Sequence, residues 1–96
     1  MLQKFNFDNV VFKRDSSEDA LAVSGDITNN SNRDYSSVVF RLVILSKEIP
    51  LGHVMITING FNRGRLRHFE KTLYRMTYSE AINKVTGYET YFEGGY

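Results

Sequence analysis

Between Phe5 and Phe92 the chain is a series of short segments in which apolar and polar residues alternate, separated by polar loops. A period of two puts every second side chain on one face of an extended strand. The clearest case is ALAVSGDITN, with Leu21, Val23 and Ile27 on the inward parity and Ala22, Ser24, Asp26 and Thr28 outward. Gly25 falls on the inward parity, where a missing side chain lets a neighbour pack close. In KFNFDNVVF the parity changes: Phe5, Phe7 and Val11 belong to one set, Val10 and Phe12 to the other. A switch around Asp8 and Asn9 predicts a β-bulge, in which one extra residue re-aims the side chains.

NNSNRD is a turn cluster of side chains that bond their own backbone. YSSVVFRLVILSK follows and is apolar on both faces: Val38, Phe40, Leu42 and Ile44 on one, Val39, Val43 and Leu45 on the other, interrupted by Arg41. SKEIPLG reads as a hairpin into LGHVMITING, with Val54, Ile56 and Ile58 inward and His53, Met55 and Thr57 outward. GRLRHFEKTLYRMT is a fifth strand with a conflict, because Lys71 sits between Phe69 and Leu73; either it snorkels at a rim or the register holds a bulge. YSEAINKV predicts a short helical turn near 79–85 capped by Ser79. TGYETYFEGGY closes the chain as a Tyr-rich strand, with Tyr88 and Phe92 in the core. Closely spaced strands of this kind predict an all-β antiparallel sandwich or barrel of about six to seven strands.

An antiparallel sandwich strand usually buries one face and wets the other. Val43 and Leu45, joined across the hairpin by Met55, put apolar side chains on the nominally wet side. Burial of each is worth roughly 1.5–3 kcal/mol, so a cover is expected. One candidate is the chain itself, through the YSEAINKV turn or the Tyr-rich tail. The other is a second protein chain, either a copy or a different partner.

Ninety-six residues with 42% hydrophobic and 24% charged side chains fit one domain, 1–96, able to bury a single core. A net charge of +1 gives no general pull toward nucleic acid. No apolar run is long enough to insert in a bilayer, and MLQKFNFDN lacks the organisation of a signal peptide. A natural start at Met1 would imply the cytoplasm, and a removed export segment the cell envelope or exterior. Cysteine is absent, which excludes disulfides and thiolate chemistry.

Few residues suggest catalysis. His53 and His68 are the only histidines and do not have the spacing of a zinc site, so no metal or cofactor is expected. Ser16, Ser17, Ser36 and Ser37 read as turn and strand residues. Asp15, Glu18 and Asp19 crowd one loop without calcium-loop spacing and read as solvated charge. Arg63, Arg65 and Arg67, followed by His68, form the most basic stretch; an extended backbone would align the three guanidiniums toward an acidic or glycan polymer. Gly64 in a turn would scatter them. The tail tyrosines could add a stacking platform to such a site.

Three elements in order resemble the FxLYD-type domains, whose architecture is related to LEA-type sandwiches. VSGDITNNS (23–31) looks like their glycine, asparagine and serine signature, Phe40 and Leu42 match the F and L of the name, and Phe61, Gly64 and Phe69 match a later element. The family's Tyr-Asp pair is replaced by Val43 and Ile44, and its Pro before the glycine by Arg63. The resemblance implies an immunoglobulin-like β-sandwich, often in exported or membrane-tethered proteins, with no catalytic residues to carry over. The expectation is a non-enzymatic interaction module that contacts a protein partner or itself through Val43, Leu45 and Met55. The alternative is a polyanion-binding module using Arg63, Arg65, Arg67 and His68.

Overall fold

The parity switch in the first segment is a real bulge. The computed structural model describes residues 4–96; Met1, on which the compartment expectation turns, lies outside them. In β1 (Phe5–Arg14) the pairing with β2 (Leu21–Asn29) shifts between Asp8 and Val11, and Asn9 takes a φ of 55°. The extra residue lets Phe5 and Phe7 before it, and Val10 and Phe12 after it, all pack against the core. Val11 is turned outward and exposed.

Four further strands and one helical turn follow: β3 (Tyr35–Ser46), β4 (Ile49–Phe61), β5 (Leu66–Leu73), α1 (Tyr78–Ala81) and β6 (Gly87–Gly95). They form two antiparallel three-stranded sheets, ordered β1-β2-β5 and β4-β3-β6, whose inner faces share one apolar core. The protein is an all-β sandwich of six strands. β2 and β3 are the central strands. At one side of the sandwich β1 lies over β6, with Phe5 stacked on Phe92 at 5.4 Å and Phe12 tilted against Tyr88 at 6.4 Å. At the other side β5 lies over β4.

Gly25 sits under Phe69 as its parity suggests: a Cβ there would stand 3.0 Å from both Phe69 Cε1 and Val10 Cγ2. Lys71 occupies an unbroken register opposite Val23, so there is no bulge in β5; its side chain is exposed at the sheet edge.

Three expectations need correction. Ala22 and Ser24 are on the outward face of β2 yet buried, because Lys13 and Glu70, paired at 2.6 Å, and Thr72 flank them from both neighbouring strands. Tyr88 and Phe92 have the inward parity but remain well exposed, since β6 is an edge strand and β1 is not hydrogen-bonded to it. The helical turn is capped by Thr77, whose hydroxyl accepts from the Glu80 amide, while Ser79 bonds Asp19 instead. Thr77 and Glu80 have the spacing of a capping box. Ala81 plugs the core at that end of the sandwich.

Candidate functional site

The apolar stripe on the outer face of β4-β3-β6 is built by the strand register. Met55, Arg41 and Tyr91 form one row across the sheet, and His53, Val43 and Glu89 form the next. Leu45 lies one step further, beside Pro50 and Gly87, and is half-buried. Neither proposed intramolecular lid covers the stripe. The helical turn sits at the end of the core, and the tail is β6, paired alongside β3.

Val43 nevertheless retains only 9% of its surface. It lies at the floor of a depression of about 330 Å³ whose walls include Leu51, His53, Glu89 and Tyr91. Arg41 leans 4.7 Å over the Tyr91 ring, and its Nε lies 2.8 Å from Glu93 Oε1. That N–H has no hydrogen-bond partner, so the contact is an ion pair rather than a directed bond. The Tyr91 hydroxyl donates to the Glu89 carboxylate. This hydrogen bond to the neutral phenol, with burial and the Glu89 charge, pushes the Tyr91 pKa above its ordinary value. Met55 stays 42% exposed at the rim, and Tyr91 is exposed beside it.

The basic stretch is divided. Arg63 and Gly64 form the β4–β5 turn, with Gly64 at a φ of 79°, and Arg65 lies between turn and strand. Arg67 and His68 are consecutive in β5 and so take opposite sides. Arg67 Nη1 donates to the carbonyls of Asn59 and Gly60 at 3.0 and 3.4 Å. His68 Nδ1 lies 3.0 Å from Asp26 Oδ1 on the other face. Asp26 also accepts from Asn9, and the bonds from Asn9 and His68 hold its carboxyl below the ordinary range.

The acidic loop is likewise engaged. Asp15 bonds Ser17 and reaches Thr72 of β5, while Asp19 bonds the amide and hydroxyl of Ser79. Among the described residues no group of three or more His, Asp or Glu side chains is placed to hold a metal ion.

Among the described residues, Asn29 is the one fully buried polar side chain with a complete set of partners. Its amide donates to the carbonyls of Arg33 and Phe61, and its oxygen accepts from the amide and hydroxyl of Ser31. The Asn29 backbone adds bonds to Gly64 and Arg65. Asn29 and Ser31 of VSGDITNNS thus tie the β2–β3 loop to the β4–β5 turn. They have a structural role.

A further feature legible in the sequence is that IPLGHVMITINGF, which forms β4, contains no Asp, Glu, Lys or Arg. Compared with known proteins, the chain matches no family model, no curated relative and no solved structure.

Proposed function

We propose that this protein is a non-catalytic interaction module that docks another protein chain, a partner or a second copy, on the outer face of β4-β3-β6. The observation carrying the reading is the depression over the nearly buried Val43, with Met55 and Tyr91 exposed beside it. An apolar centre within a polar rim is the usual anatomy of a contact surface. The spaced Gly25, Asn29, Phe40, Leu42 and Phe69 elements add support for an immunoglobulin-like domain of the FxLYD type. Those residues serve packing and loop fastening, in keeping with a scaffold rather than an active site.

The test combines light scattering across a dilution series with oxidative footprinting of Met55 in buffer and in an extract of the source cells. Docking predicts either a concentration-dependent mass that Met55→Ser lowers, or protection of Met55 in extract that Val43→Thr abolishes. A monomer at every concentration with Met55 equally oxidised in both media would reject the reading.

A further inference from the structure

The sandwich has four edge strands: β1, β4, β5 and β6. Unpaired edges invite strand addition, and proteins guard them with charges, bulges or proline. β1 has its bulge together with Asp8, Lys13 and Arg14. β5 has Arg67, Glu70 and Lys71. β6 has Glu89 and Glu93, with a register break opposite Val39 and Phe40. β4 is different: from Gly52 to Asn59 its pairing with β3 is regular and its residues carry no formal charge. Pro50 lies before that stretch.

The direction of the free backbone groups follows from the ladder. Ser37 exchanges hydrogen bonds with Tyr96, so its N–H and C=O face away from β4. Ser37 and Asn59 are therefore a non-hydrogen-bonded pair, and the Asn59 backbone points to the open edge. Arg67 reaches Asn59 O there. By the period of two, the N–H and C=O groups of Thr57, Met55 and His53 face the same edge.

The flank of this edge is basic. Arg67 lies against Asn59, and Leu73 lies against Gly52, whose Cβ position is 3.1 Å from Leu73 Cδ2. Lys71 falls between them along β5, and Arg75 continues past Leu73 into a depression of about 480 Å³ with Leu51, Leu73 and Met76. Arg67 and Lys71 are four residues apart in β5, about 13 Å along the strand, and Arg75 lies in the turn beyond Leu73. None has a carboxylate partner among the described residues.

From this arrangement we infer that the β4 edge binds an extended acidic peptide by strand addition. Main-chain bonds form to His53, Met55 and Thr57, carboxylates of one parity face Arg67 and Lys71, and an apolar side chain enters the depression at Leu51 and Met76. A second copy of this chain is the poorer occupant, because pairing β4 with β4 would bring two basic rows to one junction. The inference rests on the protein being a binding module. It does not rest on the Val43 face, since peptide binding unaffected by Val43→Thr would stand even if that face failed its own test.

The experiment is fluorescence anisotropy of the intact protein with a labelled peptide of about ten residues, matched to the strand at ~3.3 Å per residue. Glu occupies positions i and i+4, with Val and Thr elsewhere. Moving the second Glu to i+3 throws it to the opposite face, and N-methylation of the amides facing β4 removes the main-chain bonds without altering the protein. Each change is expected to weaken binding at least about tenfold, as is Lys71→Glu at an exposed position of β5. No saturable binding of the parent peptide, equal binding of the i+3 or N-methylated peptides, or a dimer disrupted by Thr57→Pro would overturn the inference.

Discussion

Asn29 shows most directly what one residue can do in this fold. Its side chain uses both donors and accepts two bonds, all at a site with no solvent exposure. Asn29→Ala leaves the carbonyls of Phe61 and Arg33 without their donor, and we expect a loss of about 3 kcal/mol, read as a lower urea midpoint. Asn29→Asp keeps the shape but turns the donor end into an acceptor facing those carbonyls, so it should be no better tolerated. A midpoint unchanged in both variants would show that the loops hold without this side chain. Gly25→Ala is a separate check: a Cβ pressed against Phe69 and Val10 should cost about 1–3 kcal/mol by overpacking. The need for a small residue at Gly25 was legible from its parity. The bonds of Asn29 to Phe61 were not, because they span 32 residues of sequence and no local pattern encodes them.

At the scale of elements, the two central strands explain the pattern that first looked anomalous. β3 is apolar on both faces because it is flanked on both sides; Val43 is screened by His53 and Glu89 in its own row and by Arg41 leaning on Tyr91 in the next. β2 solves the same problem with small residues, Ala22 and Ser24, beneath an ion pair. Alternation in the sequence revealed the strands and their faces. It did not reveal which strands would be central, since that depends on pairing between distant segments. The β3–β4 hairpin offers a test of local geometry. Ser46 pairs with Ile49, leaving a two-residue turn in which Lys47 and Glu48 have φ values of 50° and 72°. Both are left-handed, a conformation that favours Asn-Gly in such turns. Replacing Lys47-Glu48 by Asn-Gly should stabilise the protein by about 1 kcal/mol, raising the melting temperature by roughly 4–8 °C. Calorimetry showing no rise would mean that the left-handed conformation costs little at Lys47 and Glu48, since the position-47 amide bonds Thr86 in either sequence.

Across the whole molecule, the two sheets are joined by an apolar core in the middle and by polar fastenings at the ends. Asn29, with Asp34 accepting from the Arg63 amide, closes one end. At the other, Asp19 of the β1–β2 loop bonds Ser79 of α1, while Asp15 bonds Thr72 of the β1-β2-β5 sheet. Two carboxylates at the β1-β2-β5 sheet give stability a pH dependence. The Ser17 amide, then the hydroxyls of Ser17 and Thr72, lower the pKa of Asp15; the side chains of Asn9 and His68 lower that of Asp26. Each folded-state pKa lies below the ordinary value of 3.8, so as pH falls the unfolded chain takes up these protons first. Their contribution is therefore complete above pH 3.8 and is lost as pH drops through the depressed folded values. Urea titrations over a pH series should show stability falling below that point, with the slope reduced in Asp26→Asn and reduced further when Asp15→Asn is added. A fall equally steep in the double variant would assign acid sensitivity to other carboxylates, and the bonds of Asp15 and Asp26 would then be passive to pH.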